Sequence, residues 1–394
     1  MKQVRFGVVG LGNIGGTHCR NIRSADSKDF RLSAVCSNVP HQAAEAGGEY
    51  GVPHFSDAQA MFDSGQADAV IIATPHYWHV PLAIRAARAG LHVLCEKPLS
   101  ATVGPARAMI AQCRRRRVAL GAMLQHRTRG IMIKMKQLAD RGAIGEVFRV
   151  VMICSNWFRT QAYYDSGAWR GTWDGEGGGV LINQAPHHLD LFQWIGGMPR
   201  RVMGLLDTRT HRIEVEDTAN FLCDYGRGKV GYLYATTAEL PGGEQFALYG
   251  DKGILLAEGG KLRLGKLPFS IRRFTRESDY RGAGQTQTNV SWRELPTPPD
   301  RGGHIEIIRA FAAHILRGTP MYASGRDGLN ELELSNAMYL AGFTGQAVNL
   351  PVDADKMERL MDRLMRTRSS GKGGNLRAAA NKDLRKLLRG KRNA

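Results

Sequence analysis

The chain has 394 residues, 43% of them hydrophobic, and carries 54 Lys and Arg against 36 Asp and Glu for a formal charge of +18. That length allows two domains with ample core, and no stretch approaches the roughly 18 consecutive apolar residues of a membrane-spanning helix. Met1 to Arg5 runs straight into an apolar strand without a signal-peptide core, and Cys19, Cys36, Cys95, Cys113, Cys154 and Cys223 are scattered singly, so a cytoplasmic protein with reduced thiols and no membrane partner is expected.

Over the first 125 residues short apolar runs alternate with segments of helical period, the pattern of parallel strands joined by crossover helices. Strands are expected near 4–9, 31–36, 69–73, 92–95 and 118–123, with helices over 13–24, 79–89 and 103–117. The last helix closes on Arg114-Arg115-Arg116-Arg117, a run that suits the negative end of a helix dipole better than a ligand. The first strand ends Val8-Val9-Gly10-Leu11-Gly12-Asn13-Ile14-Gly15. A Gly-x-Gly-x-x-Gly between strand and helix marks a dinucleotide-binding turn: Gly10 makes the bend, Gly12 admits the pyrophosphate, and Gly15 lets the helix pack close.

The second strand ends Val35-Cys36-Ser37-Asn38. Ser37 stands where an acid would bind the ribose hydroxyls of NAD; it tolerates a 2′-phosphate and tips the choice toward NADP, but no basic residue follows, so NAD and NADP both stay open. The third strand leads into Ala73-Thr74-Pro75-His76-Tyr77-Trp78-His79 and the fourth into Glu96-Lys97-Pro98, placing polar groups at the carboxyl edge of the sheet, where open α/β folds bind ligands.

From about residue 127 the rhythm changes to a helix over 131–141, alternating segments at 147–154, 218–224 and 229–236, a loop-rich stretch over 266–301, and helices at 304–317, 328–345 and 354–366. The fold class expected is α/β: an N-terminal Rossmann doubly wound parallel sheet over 1–125, then a C-terminal α+β domain with an open, mainly antiparallel sheet over 126–365 whose last helices could pack back on the first domain. Residues 366–394 hold ten Lys and Arg and one Asp, half of the charge excess. A Gly/Ser-rich opening before a basic helical segment at 376–388 reads as a flexible tail, and without a base-reading motif nucleic acid is not an expected partner.

Hydride leaves a secondary carbinol only as its hydroxyl proton is taken, work suited to a histidine, while a lysine beside the oxygen stabilises its developing charge. Lys97, at the carboxyl edge of the sheet, is the candidate lysine, and the candidate histidine, His187, is the one implied by the family resemblance given below. Asn183, four residues before His187, is expected to share its helix face and to bond substrate hydroxyls. His76, His79, His126, His187 and His188 fall into no metal-ligand spacing, so no metal site is expected.

The glycine turn, Ala73-Thr74-Pro75, Glu96-Lys97-Pro98 and the run Gly177-Gly178-Gly179-Val180-Leu181-Ile182-Asn183-Gln184-Ala185-Pro186-His187-His188-Leu189-Asp190 together resemble the Gfo/Idh/MocA family of oxidoreductases, over roughly residues 1–365. The resemblance implies that His187 stands at the family's catalytic histidine, and that Asn183 occupies the place where aspartate is common. It implies cofactor contacts from Gly10, Gly12, Asn13, Ile14, Gly15, Ser37, Thr74, Pro75, His76, His79, Glu96, Lys97, Trp169 and Arg170. Substrate contacts would come from Lys97, His126, Arg127, Tyr163, Asn183, His187 and Tyr339. The implied activity is NAD(P)-dependent oxidation of a secondary hydroxyl of a sugar, glycoside or cyclitol by a dimer or tetramer. The Asn-Gln-x-Pro-His form of the motif resembles members that give 3-keto-glycosides. Redox-neutral glycoside cleavage and non-catalytic nucleotide sensing are the alternatives.

Overall fold

The structure, a computed structural model, describes residues 2–282, 290–370, 372 and 374–389. Strands β1 (Val4–Val9), β2 (Phe30–Cys36), β3 (His54–Phe55), β4 (Ala69–Ile72), β5 (His92–Cys95) and β6 (Leu120–Ala122) form one sheet in the order β3-β2-β1-β4-β5-β6. Its pairings are all parallel. Parallel strands are covered on both faces and so read as unbroken apolar runs; Val70, Ile71, Ile72, Val93, Leu94 and Cys95 are fully buried. The crossovers are α1 (Asn13–Ser24), α2 (Pro40–Tyr50), α3 (Ala58–Asp63), α4 (His76–Arg88) and α5 (Val103–Arg116). The order reverses at β1/β4, which opens a crevice at the carboxyl ends of β1, β4 and β5.

Beyond α6 (Gly130–Asp140) come β7 (Val147–Cys154), the short α7 (Gln161–Asp165), α8 (Pro186–Gly196), β8 (Arg201–Asp207), β9 (Thr218–Gly226), β10 (Lys229–Thr236), β11 (Glu244–Gly250), β12 (Gly253–Glu258) and β13 (Lys261–Lys266). The stretch expected to be loop also holds α9 (Ile271–Glu277) and an edge strand β14 (Ser291–Leu295), which pairs with β13. After α10 (His304–Arg317) and α11 (Gly325–Thr344), β15 (Val348–Asn349) closes a nine-stranded sheet in the order β14-β13-β12-β11-β7-β10-β9-β8-β15. One pairing, β10 with β7, is parallel. Helices cover one face of this mixed sheet. On the other, Met203 lies opposite Leu222, and Leu222 opposite Tyr232.

Two returning helices tie the sheets together. On α10, Ile307, Ile308 and Phe311 pack against Val4, Phe6 and Val8 of β1. α11 starts three residues earlier than hydrophobic periodicity suggests because Ser324 and Asp327 form a capping box. The terminal region differs from the flexible tail expected. After α12 (Ala354–Arg368), α13 (Leu376–Arg389) lies on α4, burying Ala380 and Leu384. Arg377, nearly buried, meets Glu358 at 2.6 Å and Asp362 at 2.5 Å, and Arg85 meets Asp383. Its amphipathic pattern has a surface to bury against, which a solvated tail lacks. No described helix is long and apolar enough to cross a membrane.

Arg127, expected in the substrate pocket, belongs to the frame instead. Its guanidinium, 2% exposed, meets both oxygens of Asp190 on α8 at 2.8 and 2.6 Å, Asp327 on α11 at 3.0 Å and the Tyr322 carbonyl. A buried ion cluster is strongly destabilised when one partner goes, because the other charge stays desolvated. Asp190→Asn should therefore lower stability by about 3 kcal/mol, the low end of the range for broken buried pairs since Asp327 remains. The measurement is the urea midpoint at unchanged slope.

Candidate active site between the two sheets

The nucleotide turn follows from close approach. Gly10 has φ +92°, and a Cβ there would lie 2.6 Å from the Ala73 carbonyl; one on Gly15 would lie 1.8 Å from the Gly10 carbonyl. Gly12 is different, since a Cβ there meets nothing within 4 Å. Gly12 also caps α1 with no side-chain bond and no acid in the first turn, so the N–H groups of Asn13 and Ile14 at the helix start stay available to an anion. Nearby, the hydroxyl of Thr74 is buried without a partner among the described residues. An open cradle, free helix N–H groups and an orphaned hydroxyl fit a dinucleotide. Ser37 turns inward instead: its hydroxyl donates to Gln42 at 3.2 Å and accepts from the Val39 N–H.

The β4 and β5 loops are held mainly by side chains that sequence reasoning had given to the cofactor. His79 places Nε2 2.8 Å from the Thr74 carbonyl and Nδ1 2.8 Å from the Pro98 carbonyl, so both ring nitrogens face loop carbonyls and neither faces a nucleotide. Glu96 is likewise turned in: one oxygen lies 2.7 Å from His18 Nε2 on α1, and the other accepts the Lys97 N–H. His76 stays at the crevice. Its Nδ1 lies 2.8 Å from the Glu176 carbonyl and its ring is edge-on to Trp169 at 6.0 Å; burial drives its pKa down to about 3, so it is neutral. Pro75 caps α4 ahead of it. Arg170 lies over Trp169 at 4.6 Å and Tyr163 at 4.5 Å, and donates to the Tyr163 hydroxyl at 2.6 Å.

Lys97 reaches across from β5 and donates from Nζ to the backbone carbonyl of Asn183 at 2.7 Å. Burial pushes its pKa down; Glu96, Glu176 and Glu331 oppose that, and Arg159 adds to it. Asn183 is not on the helix of His187 as expected. α8 starts only at Pro186, and 179–185 form tight turns closed by Asn183 N–H to Gly179 O and Ala185 N–H to Val180 O. A proline at the first helical position costs no hydrogen bond, whereas one turn further in it would.

His187 lies in the first turn of α8, stacked on His126 at 4.4 Å, with Nε2 3.1 Å from the Gln125 amide nitrogen. Burial, then His126, Lys97, His188 and His304, hold it well below its usual pKa, so it is neutral at pH 7. Among the described residues His187 Nδ1, His126 Nδ1, Gln125 Oε1 and Gln184 Oε1 are buried without partners. Buried polar atoms are rarely left so, and their gathering beside Lys97 marks a place for a ligand rich in hydroxyls.

Tyr339 does not join them. It is fully buried, donates to Glu216 at 2.7 Å, accepts the Gly179 N–H and packs edge-on to Trp173. Reasoning from the sequence missed Gln125, Gln184 and, above all, two acids. Glu176 is buried; its carboxylate accepts the Gly171 N–H at 2.7 Å and the Asn183 side-chain amide, and burial lifts its pKa to about 7. Glu331 is buried with both oxygens unpartnered among the described residues, and its pKa is raised well above the usual range by burial, then by Asp190. An acid directly before a glycine run was the available signal for the first; Glu331 sits inside an ordinary helix and gave none.

Residues 4–123 match the family described as an oxidoreductase family with an NAD-binding Rossmann fold, and residues 132–256 match the GFO/IDH/MocA C-terminal domain. The chain is 25% identical to the D-apiose dehydrogenase of Paraburkholderia graminis over 89% of its own length and 90% of that protein's. It is 25% identical to the D-glucoside 3-dehydrogenase of Escherichia coli over 88% and 97%. Its structure resembles that of the WlbA dehydrogenase from Bordetella pertussis, solved with NADH and UDP-GlcNAcA, with a TM-score of 0.74, 28% identity and coverage of 89% and 100%.

Gly12→Val adds bulk only where nothing but a ligand would meet it. The melting temperature should stay unchanged, while NAD binding followed by tryptophan fluorescence should weaken at least tenfold, about 1.4 kcal/mol.

Proposed function

The chain belongs to the Gfo/Idh/MocA family of NAD-dependent oxidoreductases, and from that premise we propose that it oxidises a secondary hydroxyl of a neutral sugar, glycoside or cyclitol, giving a 3-keto-glycoside when a glycoside is bound. The observation that carries this is the set of unpartnered buried atoms of Gln125, His126, Gln184 and His187 beside Lys97. His126, at about 3, and His187 are held neutral by burial, which suits hydroxyls better than a carboxylate or phosphate. The names of the apiose and glucoside dehydrogenases agree with such a substrate.

Bound NAD would accept the hydride. We assign NAD rather than NADP because the Ser37 hydroxyl is spent on its own turn and relatives were solved with NADH; the lean toward NADP is set aside. Lys97 would stabilise charge developing on the substrate oxygen. His187 would take the hydroxyl proton on Nδ1, with Nε2–H donating to a Gln125 amide turned to present Oε1. Amide orientation and imidazole tautomer are set by just such networks. Tyr163, Asn183 and Gln184 would hold the neighbouring hydroxyls, with Trp169 and Arg170 covering the cofactor.

Lys97→Met and His187→Ala should each lower kcat by about 10²–10⁴, the range for lost acid–base groups, with NAD affinity kept. The assay is NADH formation over a panel of glucosides and inositols. No reduction with any polyol, or release of aglycone without net NADH, would sink the dehydrogenase reading, and turnover indifferent to both substitutions would point to a non-catalytic role.

We further propose that the open face of the mixed sheet pairs with a second copy. Met203, Leu205 and Leu222 are 43%, 72% and 56% exposed there, adjoining one another across β8 and β9, and contiguous apolar patches of this kind mark association surfaces. Leu222→Glu should convert the assembly to monomer in sedimentation velocity; an unchanged assembly places the interface elsewhere.

A further inference from the structure

Lys97 is a cation held in a buried seam, and its ammonium donates to a neutral carbonyl, that of Asn183. The side chain at position 183 is an amide and carries no charge of its own. A buried ammonium keeps its proton only where nearby acids offset its desolvation, and the acids that face Lys97 are Glu96, Glu176 and Glu331.

Glu176 lies in place for it. Asn183 stands between it and Lys97: the Asn183 carbonyl faces the ammonium, and the Asn183 side-chain amide donates to one Glu176 oxygen. The other oxygen accepts the Gly171 N–H. Each of the two Asn183 amides thus turns to its charged neighbour the end of opposite sign. The glycine run makes this delivery possible, since a Cβ on Gly178 would lie 2.2 Å from the Tyr339 hydroxyl, and only a bare backbone passes through to carry Glu176 into the seam. Identity at position 183 follows from the same contact. An aspartate there would set a second carboxylate against Glu176, and two buried carboxylates in contact cannot both ionise. The contact between positions 176 and 183 takes one ionised carboxylate, and this chain carries it at 176.

We propose that Glu176 is the positioning carboxylate of this site, holding Lys97 charged and oriented through Asn183. The role acts through Lys97 and touches no substrate; it rests on the dehydrogenase reading only for its catalytic consequence. The groups facing Glu176 are Arg170 from its own loop, Lys97 and His76 from the parallel sheet, Tyr163 and Tyr164 near α7, and Tyr339 from α11. Lys97 in turn faces Glu96, Glu331 and Arg159. Of the acids that face Lys97, Glu96 is already paired with His18 and Glu331 is held protonated. Glu176, at about 7, is the one whose charge changes near neutral pH.

The test reads the lysine itself. Reductive methylation with ¹³C-formaldehyde labels the lysines, the Lys97 signal is assigned by its absence in Lys97→Arg, and its titration is followed by NMR in the full chain. Glu176→Gln removes an influence that raises the Lys97 pKa, so its midpoint should fall by about one pH unit or more. The exchange Glu176→Gln with Asn183→Asp returns the single carboxylate to the other side of the same hydrogen bond and should restore the midpoint; a merely structural glutamate would not be rescued so. Should Glu176→Gln not fold, the wild-type chain answers alone, because ionisation of Glu176 near pH 7 must appear as an inflection in the Lys97 shift. An unmoved midpoint in the variant, or no such inflection in the wild type, overturns the proposal. Neither readout needs a substrate, so a failure to turn over polyols would leave this result standing by itself. In an active enzyme, Glu176→Gln should lower kcat with the KM for NAD unchanged.

Discussion

A lysine ammonium buried between two sheets is the constraint to which much else in this protein answers. Lys97 leaves β5 at the carboxyl edge and ends against the Asn183 carbonyl of the second unit. Placing an ammonium in a low-dielectric seam costs several kcal/mol unless hydrogen bonds and opposite charge offset it. The offset comes from Glu96 beside it in sequence and Glu176 across the seam, with the buried carboxyl of Glu331 facing it from α11. None of the three is useful unless the seam closes to within side-chain reach, so the site and the packing of the two sheets are one problem.

Much of the polar inventory near the crevice serves that closure. His79 spans two loop carbonyls, Glu96 and His18 pin α1 to the β5 loop, and Arg127 joins the turn after β6 to α8 and α11 through Asp190 and Asp327. Tyr339 and Glu216 hold the glycine run where it passes between them. Each of these groups has its hydrogen-bonding capacity largely spent on protein. Around the crevice, Gln125, His126, Gln184, His187 and Thr74 keep buried polar atoms without a partner among the described residues, capacity that a ligand can meet. Partnering thus marks most of the frame, though His18 keeps one buried unpartnered nitrogen, where residue type marks none of it.

That distinction explains what the sequence made legible. The parallel sheet, the crossover helices and the glycine turn could be read because hydrophobic period and turn chemistry are local, and the residues carrying them are contiguous. Lys97 and His187 could be named because each stands inside a short motif. Arg127, Tyr339, His79 and Glu96 enter the pocket by the family resemblance, yet their side chains are taken up by partners brought in by the fold, with Asp190 at 63 residues from Arg127 and Glu216 at 123 from Tyr339. Glu176 escaped for the mirror-image reason: its role depends on a lysine 79 positions away and on an asparagine whose carbonyl, not its side chain, meets that lysine.

The basic terminus shows the same limit for charge. Half of the net excess lies beyond residue 365, and as a sum it suggests a solvated cationic tail. In the structure Arg377 is enclosed by Glu358 and Asp362, its backbone N–H meets the Asp174 carbonyl, and α13 covers α4 with Ala380 and Leu384. α4 begins at His76 and Tyr77, and the Tyr77 hydroxyl donates to the Trp173 carbonyl three residues before Glu176. The helix that looked like an appendage therefore buttresses, from behind, both the cofactor-side helix and the loop that delivers the glutamate. Net charge describes the chain; which surface a charge belongs to is decided by what the apolar face of its helix is able to cover.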